Sequence, residues 1–159
     1  MVSSPAGLVN MKGGRSMSDR HFMEMAISVS KNSEDRSRKV GAVIVSPEGE
    51  VISSGWNAFP KDVIALDERF ERPEKYLWTE HAERGAIYAA ARRGVSTQGC
   101  TIYVPWFPCM DCARGIVLSG ICRLVALKPD VTDEKWGGHF IAALKLFEEC
   151  GVVVSFIDQ

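Results

Sequence analysis

Residues 40–46 (VGAVIVS) form a charge-free, β-branched run that breaks at Pro47-Glu48-Gly49-Glu50 and resumes as residues 51–56. β-Branched side chains are stiff at χ1 and suit a pleated, buried surface, so the first run reads as a strand covered on both faces. Pro and Gly supply turn chemistry between the two runs. A connection this short excludes a crossover, so the pair is an antiparallel hairpin.

The rest of the chain alternates. Ser18 or Asp19 caps a helix in which Phe22, Met25, Ala26 and Val29 recur at helical spacing to about Lys31, and residues 32–39 are a polar loop. Thr79 caps a second helix, about 80–93, ended by Gly94. A strand at 100–104, a helix at 109–119, a strand at 121–127, a helix at 138–149 and a strand at 152–157 follow. The order α-β-β-α-β-α-β-α-β implies an α/β fold, a five-stranded mixed sheet with helices on both faces in three layers. The last two strands, joined through a helix, are parallel. Residues 57–78 show no periodicity and carry Pro60, Pro73 and mixed charges, a long loop of the kind that serves function.

With 46% hydrophobic and 25% charged residues, 159 residues make one ordinary globular domain rather than a disordered or fibrous chain. Nineteen basic and twenty acidic side chains disfavour both a bulk electrostatic nucleic-acid binder and a membrane-surface protein. No apolar run approaches the ~18 residues of a spanning helix, and the first twenty residues lack the apolar stretch of a secretory signal. Residues 1–17 read as a disordered tail or added leader, and 18–159 as the domain. The five cysteines, Cys100, Cys109, Cys112, Cys122 and Cys150, are an odd number, which argues against a disulfide framework. Core thiols or metal ligands in a reducing cytoplasm are the expectation.

Two short segments carry chemistry. His81-Ala82-Glu83 opens one helix, and Pro108-Cys109-Met110-Asp111-Cys112 opens another after 24 intervening residues. Zinc takes nitrogen and thiolate ligands in a tetrahedron, and three protein ligands leave a position open for catalysis. His81, Cys109 and Cys112 supply three. Unpaired N–H groups and the dipole at two helix starts favour thiolates. A bound zinc ion lowers the pKa of water from 15.7 to about 7, and Glu83, close to the His ligand without being one, suits proton transfer. The bland alternatives are a core histidine with two buried thiols, or a closed structural site completed by Cys100 or Cys122. Cys100, Cys122 and Cys150 read as core thiols, and His21 and His139 as helix-surface residues.

The H-x-E and P-C-x-x-C segments together resemble the cytidine deaminase superfamily, over about residues 18–158 and with matching element order. Within it the chain is most similar to deoxycytidylate (dCMP) deaminases, through Arg38-Lys39-Val40-Gly41-Ala42-Val43, Gly55-Trp56-Asn57-Ala58-Phe59-Pro60 and Phe107-Pro108-Cys109. The resemblance implies a zinc-dependent deaminase that turns dCMP into dUMP and ammonia. Glu83 would carry protons and the Ala82 N–H would bind the ring oxygen. Asn57 would hold the base or sugar, and Phe59 and Phe107 would wall the ring. A tRNA adenosine or guanine deaminase more often has Glu before Pro-Cys, where this chain has Phe107. Gly85 stands where the family usually has Asn, which leaves open another small aminopyrimidine, purine or triazine nucleoside or base as substrate. A monophosphate needs cations or N–H groups. Candidates are Ser37, Arg38 and Lys39, then Lys61, Arg69, Arg72 and Lys75. Trp106 and Trp136 are placed at the mouth by position alone. The partner is thus a small pyrimidine nucleotide, with no nucleic acid or membrane. Relatives assemble as dimers or hexamers, so a homo-oligomer is expected.

Overall fold

A computed structural model describes residues 17–158; of the expected tail at 1–17, residues 1–16 lie outside them. Helix α1 (Asp19–Ser30) is capped by Ser18, whose side chain accepts from the His21 N–H. Strands β1 (Gly41–Val45) and β2 (Val51–Trp56) form the hairpin. The long stretch that follows is partly ordered, as a 3₁₀ turn at Asp67–Phe70 and a single helical turn, α2 (Lys75–Trp78). Then come α3 (Ala82–Arg92), β3 (Thr101–Val104), α4 (Met110–Leu118), β4 (Arg123–Leu127), α5 (Gly137–Cys150) and β5 (Val153–Ile157).

The sheet order is β2-β1-β3-β4-β5, with β1 antiparallel to both neighbours and β3, β4 and β5 parallel. The apolar run does what its composition implies. Val43 and Val45 of β1 pack with Phe22, Met23 and Ala26 of α1 on one face. Ala42 and Ile44 pack with Ala86, Ile116, Phe140 and Phe147 of α3, α4 and α5 on the other. Strand alternation sends successive residues to opposite cores. At two points the helices rest on bare backbone. A Cβ on Gly41 would sit 2.2 Å from the Ala26 carbonyl oxygen, and one on Gly55 would sit 2.4 Å from the Ala86 nitrogen. Among the described residues, no helix is long and apolar enough to cross a membrane.

Helix α3 begins two residues later than the spacing predicts. Glu80 pairs in a β-bridge with Ala58, which holds 79–81 extended, so His81 rather than Thr79 becomes the N-cap.

Candidate active site

Strands β2 and β3 both run opposite to β1, so their C-terminal ends share one edge of the sheet. The chain that leaves β2 comes back through the Ala58–Glu80 bridge and starts α3 there. The chain that leaves β3 turns and starts α4. Sequence-distant helix starts thereby meet. His81 is the N-cap of α3, Cys109 is the N-cap of α4, and Cys112 lies in the first turn of α4. His81 Nδ1 lies 3.4 Å from the Sγ atoms of both Cys109 and Cys112, and the three donor atoms are all within 4.8 Å of one another. A tetrahedral zinc ion with its usual Zn–N and Zn–S lengths puts nitrogen and sulfur ligands about 3.6 Å apart. The donor set and spacing fit such an ion. Both thiols are buried and free of disulfides. The hydrogen bond from Cys112, with that from His81, holds the Cys109 thiol far below its ordinary range, so the site favours a thiolate. His81 is shifted upward by its hydrogen bond to Cys109.

Glu83 stands beside this cluster without joining it. It is 3% exposed, and burial pushes its carboxyl above the ordinary carboxylate range, against the pull of His81. A ring of contacts orients the ligands. Glu80 Oε1 accepts from the His81 N–H at 2.9 Å and from Arg84 Nε at 2.7 Å. Arg84 also reaches across to Asp111 of α4, at 3.8 Å. From α5, His139 Nδ1 accepts the Met110 N–H at 3.1 Å, and the Trp136 ring stands edge-on to His81.

A cleft of about 330 Å³ opens above these groups, with His81, Ala82, Glu83 and Cys109 as its floor. The Arg38 guanidinium lies 3.6 Å over the Trp106 ring on one wall, and Tyr76, Lys135 and Trp136 form the other. Asn57 lines the cleft while its side chain is tied to backbone: Oδ1 accepts from the Val40 N–H and Nδ2 donates to the Arg38 carbonyl, each at 2.8 Å.

The model for the cytidine and deoxycytidylate deaminase zinc-binding region matches residues 16–128. The chain belongs to this deaminase family. It is 36% identical over 141 residues to an uncharacterized deaminase of the luxG 3′ region of Aliivibrio fischeri, covering 87% of this chain and 92% of that one. It is 31% identical over 138 residues to the deoxycytidylate deaminase of Homo sapiens, covering 83% and 75%. The fold matches the dCMP deaminase of cyanophage S-TIM5 in complex with dCMP and dUMP, at a TM-score of 0.70 and 22% identity over 87% and 95% of the two chains. The three-layer architecture is the cytidine deaminase-like one that the motifs imply.

The deaminase fold sorts the residues singled out above. Glu83, His81, Cys109, Ala82, Asn57 and Arg38 all line the cleft, and Cys112 completes the donor cluster. The Ala82 N–H belongs to the first turn of α3, whose donors have no carbonyl within the helix. Three expected substrate contacts are off the cleft. Phe107 is 1% exposed, with its ring edge-on to Phe140 and Phe147, so the turn before Cys109 drives it into the core. Phe59 packs on Phe70, ring centroids 4.8 Å apart, and lines a neighbouring cavity. Lys39 lies between two cleft residues, Arg38 and Val40, and alternation of side chains into β1 turns it away.

The candidate cations are sorted too. Arg69 stacks 3.6 Å over Trp78, and Lys61 is not on the cleft. Lys75 is spent on Asp35. Arg38 and Arg72 remain, joined by Lys135, a loop residue with no motif to mark it. Among the described residues, none of these three has a carboxylate within ion-pair distance. Trp106 and Trp136 do line the mouth. His139 is exposed on α5, as the sequence reading has it, and from there it also serves the start of α4. Only the fold, which lays α5 against α4, brings it there.

Proposed function

We propose that this zinc-dependent deaminase hydrolyses dCMP to dUMP, with water consumed and ammonia released. The observation that carries this reading is the trio Arg38, Arg72 and Lys135, without carboxylate partners, on the cleft whose floor holds Glu83 and the His81–Cys109–Cys112 cluster. Cations so placed favour an anionic group at the mouth while a small ring reaches the floor. The relatives named deoxycytidylate deaminase in Homo sapiens and phage T4, and the dCMP- and dUMP-bound phage protein, support the same substrate.

His81, Cys109 and Cys112 would hold the zinc ion, which when bound supplies Lewis acidity and makes water acidic near neutral pH. Glu83 takes one proton from the water that adds to ring C4 and passes it to ring N3. It then takes the remaining proton of the added hydroxyl and passes it to the amine, which leaves as ammonia when the C4–N bond breaks. The Ala82 N–H donates to the ring oxygen. Asn57 keeps one amide hydrogen and one lone pair free of its backbone bonds, enough for a polar contact with base or sugar. Trp136 and Trp106 add apolar surface to the cleft lining.

The reading extends to the whole chain. Residues 18–159 act as one domain. The five free thiols suit a cytoplasmic setting. Leu118 and Ile141, exposed on α4 and α5, suit burial in a homo-oligomer, a dimer or hexamer.

The test is kcat/KM on zinc-loaded protein for dCMP, deoxycytidine and cytosine in parallel. A strong preference for dCMP is expected. Equal rates, or preference for an unphosphorylated compound, would overturn the nucleotide assignment.

A further inference from the structure

Arg38 is exposed, yet its backbone is gripped from both sides by buried side chains. On its amino side, Asp35 Oδ1 accepts from the Arg38 N–H at 3.0 Å and from the Ser37 N–H at 2.8 Å. On its carboxyl side, Asn57 Nδ2 holds the Arg38 carbonyl. The Asp35 carboxylate is itself anchored by Lys75 of α2, whose Nζ lies 3.2 and 3.0 Å from the two oxygens. Both side chains are nearly closed to solvent, at 7% and 10% exposure. Ser33 adds a brace, accepting from the Asp35 N–H and donating to the Asn57 carbonyl at 2.7 Å.

A buried ion pair adds little net stability, because desolvation offsets the attraction. Its effect here is directional. It fixes the peptide before Arg38, so the guanidinium meets the Trp106 face at the cleft mouth instead of sampling solvent. Seven hydrogen bonds from Asp35, Lys75, Asn57 and Ser33 converge on this turn and on the residues that brace it.

We propose that Asp35, anchored by Lys75, is a positioning residue that aims Arg38 at the substrate's phosphate and thereby sets nucleotide-over-nucleoside specificity. The inference rests on the dCMP reading given above. Asp35 touches neither the ring nor the reacting atoms in this account. It acts through Arg38.

The test is steady-state kinetics of the zinc-loaded full chain on dCMP and on deoxycytidine. Asp35→Asn should raise KM for dCMP about tenfold, the effect of one displaced charge-assisted contact. Its kcat, and both constants for deoxycytidine, should move less than about threefold, which is under half of that tenfold step in free energy. Asp35→Glu keeps the Lys75 charge pair but shifts the carboxylate by one methylene, so it should fold and show the same KM rise. Arg38→Gln should also raise KM for dCMP, and Asp35→Asn in that background should add nothing. Equal changes on both substrates would reduce Asp35 to a structural role and overturn the inference. So would an unchanged KM for dCMP in the Asp35→Glu variant, or additive effects in the double variant. A wild-type enzyme that does not prefer dCMP to deoxycytidine would instead overturn the nucleotide reading, and the positioning role with it.

Discussion

His81 and Cys109 are both helix N-caps, 28 residues apart in sequence, and their Nδ1 and Sγ atoms lie 3.4 Å from each other. One arrangement explains both facts. Helices α3 and α4 start at the same edge of the sheet, so their unpaired N–H groups and positive dipole ends converge on the ligands. Holding two helix starts together is the structural work of the metal, and it ties metal content to stability.

Cys109→Ala should therefore lose zinc and activity together, and wild-type protein should melt at a higher temperature with zinc than after chelation. A ligand present at 100 times its dissociation constant stabilises by about 2.7 kcal/mol. Metal analysis beside thermal melts checks this. A fully metallated, active Cys109→Ala would remove Cys109 from the ligand set.

Gly85 lies inside α3, and a Cβ there would meet only the Trp56 carbonyl oxygen at 3.8 Å and the Gly55 Cα at 3.9 Å. Both are ordinary contacts. Gly85→Ala should stabilise by about 0.5–1 kcal/mol through helix propensity. Gly55→Ala should destabilise, since its Cβ would collide with the α3 backbone. Urea midpoints of the two variants, moving in opposite directions, are the expected result.

Much of this was legible in the sequence because it is local. The strand β1, the hairpin turn and the H-x-E and P-C-x-x-C segments announce themselves within a few residues. What was not legible depends on distant packing. Lys135 and Tyr76 meet on one wall of the cleft from segments 59 residues apart, Lys135 Nζ donating to the Tyr76 hydroxyl, and neither carries a local signal. Asp35 reads as part of a polar loop and Lys75 as a candidate phosphate contact until the fold buries them against each other. The resemblance offers Phe107, next to the ligands, as a ring contact. Adjacency in a turn does not decide which way a side chain points, and the aromatic cluster of α5 claims it.

On the opposite face, Asp19 at the start of α1 accepts from Arg123 at 2.6 and 3.0 Å and from the Tyr103 hydroxyl at 2.8 Å. The Arg123 hydrogen bonds hold its carboxyl below the ordinary 3.8, against the effect of burial. A carboxyl depressed by folding stabilises the native state above its unfolded pKa, and that stability fades as pH falls through the lower folded value. Zinc-free wild type should thus lose stability below about pH 4. Asp19→Asn should be less stable at neutral pH and should show a flatter acid limb. Denaturation midpoints from pH 3 to 6 check it; parallel curves for the two proteins would contradict the ion-pair account.

The most direct measurement is turnover of dCMP by Glu83→Gln with its zinc content determined on the same sample. Gln preserves the shape of the buried side chain and removes its capacity to carry a proton. Zinc should stay bound at the wild-type level, while kcat/KM falls by at least the ~10²–10⁴-fold of general acid–base catalysis. A fully metallated Glu83→Gln that keeps near wild-type turnover would contradict the central claim that Glu83 moves the protons.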